Sequence, residues 1–285
     1  MGKKVLVLGS MGMAGHVMVH TLRKQREFKV FGVARQEGAF VDEVLDVSDF
    51  PALKAYILKL KPDYIVNCVG VLVAQAQENI TTAILLNSYL PHFLAELGGQ
   101  EGFKLIHIST DCVFSGKTGA YTESSFRDGD DNYARSKALG EVISDQHLTI
   151  RTSIIGPELK NDGTSLFDFF LKQQGTLHGY TQAIWSGVTT ITLAQVVVQA
   201  ISDDVSGLYH LTNGHPINKY ELLLLFKKHT GHKVEVLPVE GKHVNKSFLD
   251  SRKLLQNLVP DYNQMIEDMV VFMRENKRLY PHYTL

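Results

Sequence analysis

Residues 4–15 read KVLVLGSMGMAG, an apolar and β-branched run that leads directly into a glycine-rich turn. The run predicts a buried strand, and the turn has the spacing Gly9-x-x-Gly12-x-x-Gly15. Between a strand and a helix, the first glycine of such a turn permits a tight bend, the second lets the backbone approach a pyrophosphate, and the third allows close helix packing. The stretch therefore predicts a phosphate-binding turn, with a plain glycine-rich turn as the alternative.

The same alternation of short strands and helices continues through the first half of the chain. Strands are predicted at Lys4–Leu8, Lys29–Val33, Val44–Leu45, Tyr64–Cys68, Lys104–Ile108 and Leu148–Arg151. Helices are predicted at Ala14–Lys24, Phe50–Lys59, Thr81–Glu96 and Tyr133–Ser144. This order is typical of an α/β protein, and we expect a Rossmann-type, doubly wound parallel sheet.

The rhythm loosens after Arg151, where Gly, Pro and Asp interrupt the pattern, and a smaller C-terminal α/β lobe is expected. Its helices are predicted at Ser165–Gln174, Ile217–His229, Ser251–Asn257 and Tyr262–Tyr280, and a strand at Lys233–Leu237. No flexible linker separates the two parts, so they are expected to share an interface. A cleft between two lobes is a common place for a ligand.

Composition limits the function further. The 285 residues carry a formal net charge of −1 and no dense run of Lys or Arg, so nucleic acid is not expected as a partner. No run approaches the roughly 20 apolar residues of a membrane span, and the apolar run near the N-terminus is too brief for a signal peptide. Cys68 and Cys112 lie in or beside apolar runs, which predicts reduced thiols in a cytoplasmic protein. The 12 histidines follow no metal-ligand spacing, so no metal is expected.

Tyr133 and Lys137 form a Tyr-x-x-x-Lys pair after the predicted strand Lys104–Ile108 and the triplet Ser109-Thr110-Asp111. Residues four apart share one face of a helix, so the phenol and the ammonium can reach one site. Lowering the pKa of a phenol from near 10 to about 7 takes about 4 kcal/mol, and a nearby lysine can supply a large part of that. We therefore predict that Tyr133 is a general acid tuned by Lys137. The alternative is a chance pair on a solvated helix face.

The end of the second predicted strand bears on the choice of cofactor. An acidic residue there accepts from the ribose 2′-hydroxyl of NAD, whereas a basic residue suits the 2′-phosphate of NADP. Arg35 occupies this place, which favours NADP(H) and leaves NAD(H) possible, unless Arg35 is only a solvated surface charge. Weaker signals predict further cofactor contacts near the adenine ring and the nicotinamide ribose, at Asp46, Val47, Cys68, Val69 and Gly70.

Taken together with further segments, these motifs resemble those of the extended short-chain dehydrogenase/reductases, and within them the dTDP-4-dehydrorhamnose reductase group. The likeness covers nearly the whole chain and includes residues 109–116, STDCVFSG, residues 151–156, RTSIIG, residues 186–190, SGVTT, and residues 207–211, GLYHL. It implies an enzyme that reduces a keto group, at C4, of a nucleotide-linked deoxysugar with NADPH. It also implies an NADP-binding domain at 1–155 with a return segment at about 183–212, and a substrate lobe at 156–182 and 213–285.

The resemblance also assigns roles to individual residues. It implies catalytic roles for Thr110, Tyr133 and Lys137. The alternative is that Thr110 only satisfies hydrogen bonds of the local backbone and that the adjacent Ser109 takes the catalytic role. Cofactor contacts are expected from the glycine turn and the catalytic helix, at Gly9, Met11, Gly12, Met13, Gly15, Tyr133 and Lys137. Substrate contacts are expected at Thr110, Asp111, Phe114, Tyr180 and Trp185, with core packing as the alternative for the three aromatic residues. Cys112, Ser115 and Met13-Ala14 depart from the group's usual pattern, which leaves the sugar open.

Two other functions remain as alternatives. The first is a nucleotide-sugar epimerase or dehydratase on the same fold, which would keep its NAD bound. Arg35 argues against it because NADP suits an exchangeable reductant, and a dehydratase would also be expected to carry an acidic pair where this chain has only Asp111. The second is a regulatory subunit that binds NADP without catalysis, which would have no chemical need for the full Thr110, Tyr133 and Lys137 set. A homodimer is possible by family analogy.

Overall fold

The apolar run before the glycine turn forms a central strand of a seven-stranded sheet in the computed structural model, which describes residues 2–253 and 255–284. The strands are β1 (Lys3–Leu8), β2 (Phe28–Ala34), β3 (Glu43–Val44), β4 (Tyr64–Asn67), β5 (Lys104–Thr110), β6 (Leu148–Thr152), β7 (Ile154–Ile155), β8 (Gly175–Tyr180), β9 (Ala183–Trp185), β10 (Val188–Thr189), β11 (Gly207–His210), β12 (Ile217–Asn218), β13 (Val234–Val239) and β14 (Val244–Asn245). The large sheet has the order β11-β6-β5-β4-β1-β2-β3, and all its neighbouring strands are parallel. The predicted Rossmann-type, doubly wound sheet is confirmed.

The helices alternate with these strands. They are α1 (Met13–Arg23), α2 (Phe50–Leu60), α3 (Val73–Glu78), α4 (Ile80–Ala83), α5 (Leu90–Glu101), α6 (Asn132–Leu139), α7 (Leu166–Leu171), α8 (Thr190–Ser202), α9 (Lys219–Thr230) and α10 (Tyr262–Glu275). A π-helical segment spans Ile84–Tyr89, and 3₁₀ turns span Asp111–Val113, Gln256–Leu258 and Lys277–Leu279. Among the helices of the described residues, none combines the length and the apolar character needed to cross a membrane.

Alternation along β1 explains why both faces of the large sheet are covered. Val5 and Val7 point into a core that includes α1 and α8, whereas Leu6 and Leu8 point into a second core with α2 and α5. All four side chains are fully buried. A strand whose successive side chains all enter a core reads as a continuous apolar run, and this is the pattern of a parallel sheet.

The C-terminal part adds smaller sheets to this frame, as the sequence predicts for an α/β lobe. Strand β13 pairs with β8 in parallel, β9 lies between β12 and β14, and β7 pairs with β10. Strand β11, which the resemblance assigns to the cofactor domain, is at the edge of the large sheet next to β6. The domain bounds stay a prediction, and Met1 and Leu285 within them lie outside the described residues.

The long predicted helix Thr81–Glu96 is interrupted in the structure. It divides into α4, the π-helical segment and α5, and Pro91 lies in the first turn of α5. Proline has no backbone N–H, so it cannot donate to the Asn87 carbonyl four residues earlier, and a widened turn accommodates the loss. The predicted helix Tyr133–Ser144 is also too long, because α6 ends at Leu139 and Gly140 follows as its cap. A Cβ at Gly140 would lie 1.8 Å from the Asn87 carbonyl oxygen, so this contact requires glycine.

The predicted helix Ser251–Asn257 is wrong. The Asp250 carboxylate accepts hydrogen bonds from the backbone N–H groups of Arg252 and Lys253, and Lys253 has a φ of 55°. Such a side-chain-stabilised turn competes with helix formation. Only a 3₁₀ turn at Gln256–Leu258 follows, and Leu254 lies outside the described residues.

A buried ion pair joins the end of α6 to the large sheet. The Arg151 guanidinium donates to the Glu141 carboxylate through Nε at 2.8 Å and through Nη2 at 2.7 Å, and both side chains are at most 1% exposed. Glu141 also accepts from the Ser109 hydroxyl at 2.7 Å. Burial raises the pKa of the Glu141 carboxyl group. Hydrogen bonds from Arg151 and its positive charge outweigh this effect and hold the pKa below its usual range.

The same arginine connects to the C-terminal strands. Its Nη1 lies 2.8 Å from the Nε2 atom of His210, and its guanidinium lies 5.0 Å from the ring centroid of Phe114. The other ring nitrogen of His210 is 3.1 Å from the Leu249 carbonyl oxygen. Burial lowers the pKa of His210 to about 4, so this imidazole is neutral near pH 7 and can accept from Arg151.

We expect Glu141→Gln to lower the free energy of unfolding by about 3–5 kcal/mol at pH 7, because it leaves the buried Arg151 charge without its counter-ion. Urea unfolding measures this, with Asp204→Asn as the control. Asp204 pairs with Lys104 but is 73% exposed, so its loss should cost less than about 1 kcal/mol.

The difference between the wild type and Glu141→Gln should depend on pH. The folded pKa of Glu141 is depressed, so its stabilisation is complete above its unfolded pKa of about 4.3 and is lost as the pH falls through the folded value. A difference that persists unchanged well below pH 4 would contradict an ionic role for this carboxylate.

Candidate functional site

The three glycines of the turn between β1 and α1 have different structural tasks. Gly9 has a φ of 78°, a left-handed conformation that favours glycine. A Cβ at Gly15 would lie 2.0 Å from the Gly9 carbonyl oxygen, so α1 can approach the turn only with glycine there. A Cβ at Gly12 would meet only that same oxygen, at 3.3 Å, and otherwise open space. Gly12 therefore keeps a surface free that a ligand can approach.

The start of α1 is suited to an anion. Helix α1 begins after Gly12, and no side chain of the described residues caps its N-terminus. Its first backbone N–H groups therefore remain available to a ligand. The Ser10 hydroxyl in the same turn is buried and has no hydrogen-bond partner among the residues that the structure describes. Met13 is the first residue of α1. Met11 packs against Gly38, since a Cβ added at Gly38 would lie 2.7 Å from the Met11 sulfur. These features fit a dinucleotide pyrophosphate.

The residues predicted near the adenosine end lie beside this turn. Arg35 is exposed and directly follows β2, which is the place that the sequence predicts for a group that reads the ribose 2′-position. Hydrogen bonds from Ser48 hold the pKa of Asp46 below its usual range, and the charge of Arg35 acts in the same direction. Arg35 and Asp46 are therefore neighbours. Val47 is 7% exposed and packs in the core with α2 and α5.

The segment after β4 touches the glycine turn. A Cβ at Gly9 would lie 3.2 Å from a methyl carbon of Val69 and 3.3 Å from the Cys68 carbonyl. The Asn67 side chain accepts from the Val69 backbone N–H at 3.1 Å, which fixes this bend, and Gly70 is exposed at its end. Burial raises the pKa of the Cys68 thiol to about 12, so the thiol is neutral.

Helix α6 carries the half-buried Tyr133 and the buried Lys137 on one face. It begins at Asn132, because the Asp131 carboxylate caps it by accepting from the Ala134 N–H at 2.7 Å. The Lys137 ammonium is nearly fully buried and donates to the Ile108 carbonyl oxygen at 2.8 Å. Burial lowers the pKa of Lys137 to about 8, while the charge of Glu141 opposes the change.

The pKa of Tyr133 is shifted upward in this structure, and its predicted tuning by Lys137 stays a prediction. Burial and the nearby Cys112 raise the pKa of the Tyr133 phenol well above its usual range, and hydrogen bonding with the Thr110 side chain only partly offsets them. The ammonium of Lys137 is directed to the Ile108 carbonyl instead. Desolvation disfavours the charged form of both groups, so the phenol stays protonated at neutral pH.

Thr110 ends β5 and faces the phenol. Its hydroxyl donates to the Asp111 carboxylate at 3.2 Å and accepts from the Cys112 backbone N–H at 3.1 Å, so it also caps the short 3₁₀ turn. The local backbone role considered for Thr110 is therefore present, and its catalytic role stays a prediction. The neighbouring Ser109 donates to Glu141 and is directed away from this place.

Asn87 is a site residue that the sequence analysis missed. Its side chain is fully buried, accepts from the Val71 N–H at 2.8 Å and donates to the Ser136 hydroxyl at 3.1 Å. It thereby ties the segment after Gly70 to the helix residue next to Lys137. Asn87 lies inside a predicted helix, and only the neighbouring Pro91 signals that this helix is irregular.

The three predicted aromatic platforms have different surroundings. Phe114 is fully buried, stacks on Tyr121 with ring centroids 4.1 Å apart, and lies in a cluster of its own with Phe248. Trp185 is 3% exposed, and the ammonium of Lys219 covers its ring at 5.0 Å. Tyr180 is 45% exposed at the end of β8. The structure thus brings together Thr110, Asp111, Tyr133 and Lys137, whereas Phe114 and Tyr180 lie in other surroundings.

No group of three or more His, Cys, Asp or Glu residues that could hold a metal ion occurs within residues 2–253 and 255–284. The two cysteines are free thiols. Burial raises the pKa of Cys112 to about 11, so this thiol beside Tyr133 is neutral near pH 7.

Comparison with known proteins places this chain in a family. A family model described as the RmlD substrate binding domain matches residues 3–269. A dTDP-4-keto-6-deoxy-D-glucose reductase from Streptomyces niveus is 27% identical over 76% of this chain and 75% of that protein. The methionine adenosyltransferase 2 subunit beta of Xenopus tropicalis is 25% identical over 78% of this chain and 70% of that protein. The crystal structure of dTDP-4-dehydrorhamnose reductase from Bacillus anthracis in complex with NADP superposes with a TM-score of 0.82, at 21% identity, over 95% of this chain and all of that one, which supports the fold.

The glycine turn generates a test with a matched control. Gly15→Ala should destabilise the protein by roughly 1–3 kcal/mol, because the added Cβ meets the Gly9 carbonyl oxygen and this overpacking outweighs the higher helix propensity of alanine. Gly12→Ala, at a φ of −75°, should change stability by less than about 1 kcal/mol and weaken dinucleotide binding. Thermal unfolding and NADPH titration by fluorescence measure the two effects. Equal melting temperatures for both variants would contradict the packing role of Gly15.

Proposed function

Because the chain belongs to the RmlD substrate binding domain family, we propose that it is an NADPH-dependent reductase of a nucleotide-linked deoxysugar. The proposed reaction is reduction of the C4 keto group, as the name of the Streptomyces niveus relative indicates for that protein. The sequence resemblance to the dTDP-4-dehydrorhamnose reductase group agrees with this family. The sugar and its nucleotide are the finer features that the proposal leaves to experiment.

One observation carries the proposal: a series of neighbouring residues leads from the glycine turn to the Tyr133 phenol. Gly9 contacts the Cys68 carbonyl, and Cys68 and Lys137 are close enough that each affects the pKa of the other. Lys137 lies one helical turn from Tyr133, which faces Thr110. A dinucleotide that starts at the turn would therefore end beside a proton donor, which is the arrangement that ketone reduction needs.

The residues of the chain have distinct tasks in this reaction. When bound, NADPH supplies the hydride for the ketone carbon. Tyr133 would donate its phenolic proton to the developing alkoxide, and burial, which raises the pKa of the phenol, keeps it protonated in the resting protein. The Thr110 hydroxyl would hydrogen-bond the same oxygen. Lys137 would hold the ribose hydroxyls of the cofactor, with Ile108 orienting its ammonium.

Three further statements about this protein stay predictions. The absence of a nucleic-acid partner, the homodimer and the cytoplasmic location rest on composition and on family analogy. The regulatory subunit has some support from a relative, because one relative is named as a subunit of methionine adenosyltransferase. The complete Thr110, Tyr133 and Lys137 set favours the reductase over the regulatory subunit.

We expect Tyr133→Phe to lower turnover roughly 100-fold or more, because it removes the proton donor, while NADPH affinity stays within about twofold. The assay follows NADPH oxidation by absorbance with dTDP-, UDP- and GDP-linked 4-keto-6-deoxysugars generated in situ. Tyr89→Phe is the control, since Tyr89 is 51% exposed and lies on the π-helical segment outside the site.

Each alternative predicts its own result in this assay. A Tyr133→Phe enzyme with wild-type turnover would exclude the assigned role of the phenol. Tight NADPH binding by the wild type without turnover of any sugar would favour a regulatory subunit. Sugar conversion without net NADPH oxidation would favour an epimerase or a dehydratase.

Replacing Arg35 tests the cofactor preference. Arg35→Ala should weaken NADPH binding about tenfold or more and leave NADH binding nearly unchanged, because only NADPH carries the 2′-phosphate that an arginine can bind. Fluorescence titration gives the dissociation constants of NADPH and NADH for each variant. Arg26→Ala is the control for an exposed arginine in the loop before β2. Equal weakening of NADPH and NADH would show that Arg35 does not read the 2′-position.

A further inference from the structure

Two lysines of the C-terminal lobe are held by one small sheet. Strand β9 lies between β12 and β14, and Asn218 and Asn245 both pair with Ile184. Lys219 and Lys246 follow these two asparagines directly. The Lys246 backbone N–H donates to the Ile184 carbonyl at 3.1 Å. Both lysines are thus fixed at their backbones on either side of a single strand.

This sheet docks against the turn that follows Thr110. The Asn245 N–H donates to the Gly116 carbonyl at 2.7 Å, and a Cβ at Gly116 would lie 3.1 Å from the Cγ atom of Lys246. The ammonium of Lys219 lies 5.0 Å from the ring centroid of Trp185, which belongs to β9. The loop that starts at the candidate site and the small sheet are therefore in direct contact.

The two ammonium groups share neighbours with the phenol of Tyr133. Asp111 and Cys112 act electrostatically on Lys219, on Lys246 and on Tyr133 alike. Lys219 and Lys246 also repel each other, since the charge of Lys246 lowers the pKa of Lys219. Both cations and the phenol therefore lie within electrostatic range of the 3₁₀ turn Asp111–Val113, which follows β5.

Neither cation has a salt-bridge partner close to its ammonium within the residues that the structure describes. The Asp111 carboxylate is a negative charge near both, and Asp131 adds a smaller effect on Lys246. Lys246 also interacts with the Cys112 side chain, whose thiol is neutral near pH 7. Burial lowers the pKa of Lys219 to about 8, so its charge is held at a cost in free energy. A partly buried cation without a close counter-ion is expected where an anionic ligand binds.

We propose that Lys219 and Lys246 bind the diphosphate of the nucleotide-sugar substrate. The proposal rests on the proposed reductase function and adds the residues of the C-terminal lobe that recognise the substrate. Lysine is a compact point charge that suits phosphate oxygens, and two lysines match the two charged groups of a diphosphate. The dinucleotide cofactor also contains a diphosphate, but the glycine turn after β1 already provides the backbone donors for that group.

The test measures binding separately from catalysis. Isothermal titration of the NADPH complex with dTDP, UDP and GDP, and with the corresponding nucleosides, gives the contribution of the phosphates. Lys219→Gln and Lys246→Gln should each weaken binding of the preferred diphosphate about tenfold and leave nucleoside binding unchanged. The wild-type affinity should also fall more steeply with salt than that of either variant.

Control variants separate this role from folding and from general charge. Lys242→Gln removes an exposed lysine of the same lobe, in the loop before β14, and should bind the diphosphates as the wild type does. Lys219→Arg and Lys246→Arg retain the charge and should restore most of the affinity. Unchanged melting temperatures for the Gln variants would show that the loss is not caused by unfolding.

The outcomes distinguish this inference from the proposed function. Reduction of a keto sugar with the same KM in both Gln variants would overturn the inference and leave the reductase function intact. Lysine-dependent binding of a diphosphate without reduction of any sugar would support the inference and remove the reductase function. Weaker NADPH binding in the variants, with unchanged diphosphate binding, would assign the lysines to the cofactor and overturn the inference. The inference would also be overturned if the wild-type protein bound none of the three diphosphates.

Discussion

The buried ion pair between Glu141 and Arg151 is the constraint on which the geometry of the site depends. Two charges that are at most 1% exposed are tolerated only when their hydrogen bonds are nearly all made, and here Ser109, Arg127 and His210 are further partners of the pair. Ser109 precedes Thr110, and Glu141 follows Lys137 by four residues. The pair therefore fixes the end of β5 relative to α6, the two elements that carry the reacting groups.

Burial then determines the protonation state of those groups. Desolvation raises the pKa of the Tyr133 phenol and lowers that of the Lys137 amine to about 8, so both are pushed toward their neutral forms. A neutral phenol next to Thr110 is a hydrogen-bond donor in the resting protein, which suits a group that must give up a proton. The ammonium of Lys137 keeps its orientation through the Ile108 carbonyl rather than through the phenol.

The sequence predicts the parts of this site that depend on local chemistry. Gly9, Gly12 and Gly15 have tasks that follow from one strand–turn–helix unit, and the four-residue spacing of Tyr133 and Lys137 follows from one helix. Residues joined across the fold could not be found in this way. Asn87 meets Val71 and Ser136 through an irregular helix, and the side chains of Phe114 and Trp185 pack in clusters whose members are far apart in sequence. The helix predicted at 251–257 failed because the Asp250 side chain stabilises a turn there.

The carboxyl ends of parallel strands meet at one edge of a sheet, and this gives the site a linear order. The glycine turn follows β1, the bend at Cys68 follows β4, and Thr110 ends β5, so an anion-binding turn and a proton donor lie along the same edge. The C-terminal lobe brings positive charge to the far end of that line, because its small sheet docks on the loop after Thr110 through Asn245 and Gly116. A sugar held at its ketone by the first domain would then be held at its anionic group by the second. Recognition of the nucleotide would therefore depend on how firmly β14 packs on that loop, which couples substrate choice to the contact between the two lobes.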